Sequence, residues 1–220
     1  MVYWSCVVEN FLYIVLAYLL GSVPFGYLAG RINGIDLREH GSHNIGATNA
    51  VRVLGKKWGL PVFACDFLKG FLPLLWFRMH LGGDVAAMNE VQMGWLLGMM
   101  LALVLGHTFT CFLHFRGGKG VATMAGCLVA FIPLVAGVAA GVFVLVAAVW
   151  RYISLSSMLA GVAMVACAAA LFGWDGEVSP AEWMALGMLS LILVLVVYKH
   201  RSNIVRIWQG TEPKIFSAKK

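Results

Sequence analysis

Long apolar runs separated by short polar stretches repeat along the whole chain. They cover about 11–30, 58–79, 93–115, 121–132, 133–150, 155–173 and 183–198. A helix needs about 20 apolar residues to cross a bilayer core. The pattern therefore predicts an all-α integral membrane protein with seven transmembrane helices in one domain spanning 1–220. Pro24, flanked by Gly21 and Gly26, predicts a kink at the end of the first span, where carbonyls released from the helix can meet water or a ligand. The continuous stretch from Val121 to Trp150 is too long for one straight span and too short for two full ones. Pro133, with Gly137 and Gly141, offers a break, so a tight hairpin of two short helices is expected there.

Composition supports the same class. The 220-residue chain is 61% hydrophobic and 12% charged, where soluble domains carry about 25% charged residues. Its net charge of +6 does not imply a nucleic-acid partner, because the basic residues gather between the apolar runs and in the tail. All Lys and Arg except Lys69 and Arg78 fall in 31–57, 116–120, residue 151 and 199–220. With the hairpin in place these segments share one side, which the positive-inside rule makes cytoplasmic. Glu9, Asp84, Glu90, Asp175, Glu177 and Glu182 then face outward, with the N-terminus outside and the C-terminus inside. The first run lacks a basic n-region and is expected to be a retained span. Cys6, Cys65, Cys111, Cys127 and Cys167 show no metal-like spacing and read as small hydrophobes.

Asp66 and Lys69 are charged residues inside the second run. Their i,i+3 spacing puts them on one helix face, where pairing lowers the cost of burial.

Four polar clusters meet the inner face under this topology. The first runs Gly41-Ser42-His43-Asn44-Ile45-Gly46-Ala47-Thr48-Asn49 and is closed by Arg52. Glycine admits backbone N–H groups close to a ligand, and such a nest beside an arginine suits phosphate or carboxylate. The second, Gly117-Gly118-Lys119-Gly120, has the glycines and lysine of a phosphate cradle without being a Walker A motif. In the third, at least one of Ser154, Ser156 and Ser157 is expected to cap the sixth helix. The fourth places His200, Asn203 and Arg206 on one helix face, followed by Ile204, Val205, Ile207 and Trp208 as an interfacial stripe. Arg52, Lys119 and Arg206 are the candidate anion binders among these clusters. The set fits two anionic substrates at the water–lipid boundary, with donors placed to stabilise charge developing on oxygen. It contains no metal-ligand spacing, nucleophile elbow or carboxylate pair, so no metal is expected. A transporter of phosphorylated solutes is the alternative.

The runs Gly21–Gly26, Gly34–Arg38 and Gly41–Arg52 resemble the first signature of the bacterial acyl-phosphate-dependent glycerol-3-phosphate acyltransferases. Asp66–Gly70, Gly106-His107 with Phe115–Thr123, Arg151–Ser157 and His200–Arg206 are similar to that family's further motifs, in order, over about 21–212. The resemblance implies a cytoplasmic-membrane enzyme that moves a fatty acyl group from acyl phosphate to the 1-hydroxyl of glycerol 3-phosphate. Its products would be lysophosphatidic acid and phosphate. It implies no cofactor, neither acyl carrier protein nor coenzyme A as direct donor, contact with membrane lipid, and a functional link to a soluble enzyme that generates acyl phosphate. By motif position, Ser42, Asn44 and Thr48 would meet the acyl-phosphate oxygens. Arg52 and Lys119 would grip phosphate, with Gly41, Gly46, Asn49, Gly117, Gly118 and Arg206 completing the binding set. His200 and Asn203 would orient the hydroxyl, with Ser156 nearby, and either His200 or the substrate's own phosphate would take the proton. One position departs: His43 stands where the family commonly has glycine. Glycine adopts a left-handed backbone more readily, although histidine is among the residues found there.

Overall fold

A computed structural model describes residues 2–174 and 176–215, with 2–6 by backbone alone. The side chain of Cys6, together with Asp175 and 216–220, lies outside the described residues. Ten α-helices follow in order: α1 Val2–Ser22, α2 Phe25–Ile32, α3 Ala47–Leu54, α4 Lys56–His80, α5 Glu90–Thr108, α6 Val121–Phe131, α7 Pro133–Trp150, α8 Ile153–Phe172, α9 Pro180–Lys199 and α10 Arg201–Trp208. No strand occurs among the described residues.

Among the described residues six segments are long and apolar enough to cross a membrane: Val7–Ile32, Lys56–His80, Glu90–Leu113, Pro133–Trp150, Ile153–Phe172 and Pro180–Lys199. The stretch 121–150 does break before Pro133, but unequally, into 11 and 18 residues. At 1.5 Å per residue α6 is about 16 Å long, roughly half a bilayer core. The two short helices expected over 121–150 are thus one short apolar helix and one of span length. Residues 31–57, read as a loop, hold α3, and the third span stops being α-helical at Thr108 rather than 115.

The helix ends follow from local chemistry. Asn89 and Gln92 cap each other's backbone at the start of α5, as do Ser179 and Glu182 at α9. Pro133 and Pro180 occupy first-turn positions, where no N–H is needed.

The chain divides into two compact units, 1–131 and 132–220. In the first, Gly98 meets Ile14, and Gly106 meets the backbone of Tyr18 and Ser22. These small residues let backbones approach closely, as helix pairs in lipid require. The pairing of 14 with 98 and 22 with 106 makes α1 and α5 run the same way, with α4 as the return. The stretches 33–46 and 109–120 therefore emerge at one end of this unit, and 81–89 at the other.

The break between α1 and α2 is held by partners from α4 and the end of α5. Thr110 Oγ1 donates to the Ser22 carbonyl at 2.6 Å and Lys69 Nζ to the Val23 carbonyl at 2.8 Å. The expected kink at Pro24 is present, and protein groups meet its released carbonyls. Arg78 donates to the Gly83 carbonyl at 2.6 Å and to the Ala130 carbonyl, in the last turn of α6, at 2.9 Å.

In the second unit α7, α8 and α9 pack in sequence. Arg151 closes α7 in the left-handed region, φ 63°, and its carbonyl accepts from the Ile215 N–H at 2.8 Å. The tail is thus tied to the start of α8.

Candidate functional site

The first polar cluster is organised by Asn49, in the first turn of α3 and 1% exposed. Its Oδ1 accepts from the Ser42 N–H at 2.8 Å. Its Nδ2 donates to the carbonyls of Leu37 at 3.2 Å, His40 at 3.0 Å and Asn44 at 2.8 Å. An amide has two donors and one acceptor oxygen, and here they lace the loop together. Asn49, expected among the substrate contacts, builds the loop that carries the others. Gly41 turns at φ +63° so close to Asn49 that a Cβ would strike Oδ1.

His43 takes the left-handed conformation, φ 57°. Its Nδ1 lies 3.0 Å from the Arg38 carbonyl, so Nδ1 carries the proton and Nε2 is left to the surroundings. Arg38 forms a fork with Asp36, with Nη2 to Oδ2 at 2.6 Å and Nε to Oδ1 at 3.0 Å. Those hydrogen bonds hold the Asp36 carboxyl at about 2, far below its ordinary value. Gly46 caps α3 in extended backbone, which places Thr48 in the first turn, Arg52 in the last, and both Ser42 and Arg52 half-buried.

The second cluster folds differently from a phosphate cradle. The N–H groups of Gly117 and Gly118 donate to the carbonyls of Thr108 and His107, at 3.2 and 3.0 Å. A Cβ on Gly118 would land on the His107 ring. These glycines serve close packing against the end of α5, and their N–H groups are already engaged. This corrects the expected cradle at Gly117 and Gly118; Lys119, half-buried beside them, keeps its candidate place.

Behind the two loops lies a buried ionic cluster. Lys69 Nζ sits 2.7 Å from Asp66 Oδ1, the pair read from the i,i+3 spacing, and His107 Nδ1 lies 3.5 Å from the same oxygen. Lys69 also sits 5.4 Å from the centre of the Phe25 ring. One cluster thus ties together α2, α4, α5 and the loop carried on His107. At the surface the loops enclose a cavity of about 270 Å³ lined by Arg38, Glu39, His43, Ile45, Arg116 and Gly117.

The second unit gathers the other two clusters around Glu212. Its Oε1 accepts from Ser154 Oγ at 2.7 Å and Asn203 Nδ2 at 2.6 Å, and its Oε2 from Arg206 Nε at 2.8 Å. Burial pushes this carboxyl up, but hydrogen bonds from Asn203, Ser154 and Arg206 outweigh it and leave it below the ordinary glutamate value. Arg206, a candidate substrate binder, thus also holds an internal anion through its Nε. Glu212 was missed in the sequence, although it is the one carboxylate in the basic segment 199–220.

Ser156 and Ser157 donate to the carbonyls of Tyr152 and Ile153, each at 2.8 Å. Ser154 reaches Glu212, and α8 has no side-chain cap, so none of the three serines plays the expected capping part. His200 is 2% exposed and its Nδ1 donates to the Val196 carbonyl at 2.8 Å, which fixes the ring and leaves Nε2 as its basic nitrogen. Among the described residues no group of His, Cys, Asp and Glu is arranged to hold a metal.

Residues 11–210 match the family model described as Glycerol-3-phosphate acyltransferase. A glycerol-3-phosphate acyltransferase of Bacillus cereus strain G9842 is 44% identical over 214 residues, covering 97% of this chain and 98% of its own. One from Trichlorobacter lovleyi is 44% identical over 200 residues, covering 90% and 93%. The crystal structure of PlsY, an integral membrane glycerol 3-phosphate acyltransferase, in its glycerol 3-phosphate form superposes with a TM-score of 0.80 at 38% identity, covering 94% of this chain and 96% of that one. Its lysophosphatidic acid form gives 0.77, also at 38% identity. The family match over nearly the whole chain agrees with the six span-length helices and the polar loops at their ends: this chain belongs to the glycerol-3-phosphate acyltransferase family, an integral membrane acyltransferase with several spans.

Proposed function

We propose that the chain transfers a fatty acyl group from acyl phosphate to the 1-hydroxyl of glycerol 3-phosphate, giving lysophosphatidic acid and phosphate. Relatives bearing the acyltransferase name, and crystal forms named for glycerol 3-phosphate and lysophosphatidic acid, support the acceptor and product. The donor rests on the resemblance of the motifs to the acyl-phosphate-dependent family, and the chemistry of the residues agrees with it. Acyl phosphate is a mixed anhydride whose leaving group needs little help, so holding two anions and stabilising the tetrahedral oxyanion supplies much of the rate. The observation that carries the reading is the Asn49-laced loop, which presents Ser42 and Thr48 at the same end of the first unit as Lys119.

In the reaction the acceptor hydroxyl oxygen attacks the acyl carbonyl carbon. A C–O bond forms, the bond from that carbon to the phosphate oxygen breaks, and phosphate leaves with its electron pair. Ser42, Asn44 and Thr48 contact the donor's phosphoryl and carbonyl oxygens, and Arg52 and Lys119 bind phosphate, with Gly41 and Gly46 shaping the loop. In the second unit His200 and Asn203 orient the hydroxyl, with Ser156 as a further contact. The hydroxyl proton passes to His200 Nε2 or to an oxygen of the departing phosphate. A soluble enzyme that makes acyl phosphate would supply the donor, and the reaction belongs on the cytoplasmic side of a bacterial inner membrane.

The test uses purified protein in detergent with palmitoyl phosphate and glycerol 3-phosphate, following phosphate release and lysophosphatidic acid. Both products should appear in equal amounts, while palmitoyl-coenzyme A should not replace the donor. Detergent abolishes transport but not acyl transfer, so an inactive but folded protein would favour a transporter of phosphorylated solutes. His200→Ala should lower kcat at least 10²-fold if the imidazole is the general base. A change within about threefold would leave the proton to the substrate phosphate.

A further inference from the structure

The cavity between the two loops of the first unit is lined by Arg38, Glu39, His43, Ile45, Arg116 and Gly117. Ser42, Asn44, Thr48, Arg52 and Lys119, the residues assigned to acyl transfer, do not line it. Along the first loop His43 and Ile45 line the cavity while Ser42 and Asn44 do not, so alternate residues serve two different surfaces. We propose that this cavity is a second oxyanion site, distinct from the acyl-transfer site, that takes a phosphate-type group when His43 is protonated.

Three features carry the proposal. Arg116 is exposed, and its guanidinium has no hydrogen-bond or ion-pair partner among the described residues, so a full fork of donors is presented to the cavity. His43 is pinned through Nδ1 to the Arg38 carbonyl, which leaves Nε2 as its remaining polar atom. In the neutral ring Nε2 is an acceptor that repels an anion, and in the protonated ring it is a donor bearing charge.

The third feature is the charge balance. The charged groups around His43 are Arg38, with Asp36 forked to it, and Glu39 on its own loop, and Arg116 on the other. His40, whose Nδ1 meets the Asp36 carbonyl at 2.9 Å, is the remaining titratable neighbour in the loop. Arg38 and Arg116 face Glu39 and Asp36, with Arg31 also acting on Asp36, so the carboxylates offset most of the guanidinium charge and a protonated imidazole adds one further positive charge to the site. Asp36 remains ionised at both neutral and mildly acid pH, because its carboxyl is held at about 2.

The direction follows. Protonated His43 attracts the anion, so binding is stronger in acid and weaker as the ring becomes neutral. Inorganic phosphate, or the phosphomonoester headgroup of a lipid at this membrane surface, has the required chemistry. A phosphate monoester itself titrates near pH 6, so sulfate, dianionic across the range, is the cleaner probe.

The experiment is calorimetric titration of the full chain in detergent with sodium sulfate at pH 6 and pH 8. Wild type should bind about fivefold or more tightly at pH 6, the effect of one added unit charge about 5 Å away at a partly solvated site. His43→Asn, which keeps a residue tolerant of the left-handed backbone, should bind equally at both pH values. Arg116→Gln should lose about tenfold at both. Inorganic phosphate and phosphatidic acid in phosphatidylcholine nanodiscs are then tested separately for displacement of sulfate. Displacement by either one supports the proposal and names the source. Displacement by neither overturns it, as would pH-independent wild-type binding. Sulfate that competes with glycerol 3-phosphate with an affinity unchanged in Arg116→Gln would place the anion in the acyl-transfer site, and would equally overturn the second site.

Discussion

Gly118 shows how a residue chosen for one chemical reason can serve another. A glycine beside a lysine suggests N–H groups bared for phosphate, yet its N–H is bonded to the His107 carbonyl and its Cα abuts the His107 ring. Gly118→Ala should therefore destabilise the protein by roughly 1–3 kcal/mol through overpacking, read as an earlier thermal transition in detergent. A change confined to KM with stability intact would restore the cradle reading. Glu212 makes the complementary case. Its carboxyl lies below the ordinary glutamate value in the folded protein, so its contribution is complete above about pH 4.3, the unfolded value. That contribution fades as pH falls through the lowered folded value. The change in tryptophan fluorescence lost on Trp208→Phe should accordingly report loosening of the tail only below about pH 4, and Glu212→Gln should show that loosening already at neutral pH. Ser42, Thr48 and Lys119 were legible as types in a pattern. Glu212 was not, because hydrogen bonds to Ser154, 58 residues away, and to Asn203 are what give it meaning.

Among elements, the kinked first helix depends on groups borrowed from α4 and the end of α5. Lys69 joins the Asp66 carboxylate to the Val23 carbonyl with both charged side chains buried. Removing one member of such a pair leaves an uncompensated charge, at a cost of about 3–5 kcal/mol. Lys69→Met should therefore unfold far more readily than wild type. The double change Asp66→Leu with Lys69→Met should recover part of the loss, since replacing a whole buried pair with apolar groups is much milder. Equal stability of the two variants would show that the Asp66 charge left behind by Lys69→Met costs nothing. The span pattern, the kink at Pro24 and the break before Pro133 were readable because proline and apolar run length act locally. The short helix α3 was not, since its eight residues hold Thr48, Asn49 and Arg52 in a polar stretch, and its burial against α4 through Ala50 is a tertiary effect.

For the whole molecule, charge and helix direction give independent accounts of sidedness. Within the first unit, the parallel course of α1 and α5 requires 33–46 and 109–120 to leave from one end and 81–89 from the other. The basic residues sort the same way, Arg31, Arg38, Arg52, Arg116 and Lys119 against Asp84 and Glu90. Arg78, the basic residue on the acidic side, is held by the Gly83 and Ala130 carbonyls, so it acts as a structural clamp rather than a topology signal. Position 175, the natural probe of the outer side, lies outside the described residues, and Glu177 serves in its place. In a variant whose native cysteines are replaced, single cysteines at 84 and 177 should react with an impermeant maleimide on intact cells. Cysteines at 116, 151 and 211, all exposed, should react only after permeabilisation, because loops rich in Lys and Arg are retained on the cytoplasmic side. Position 151, exposed just ahead of Ser156, is the decisive one. Its labelling from outside would put the start of α8 across the membrane from Lys119, and the roles proposed for the second unit in acyl transfer would fail with it.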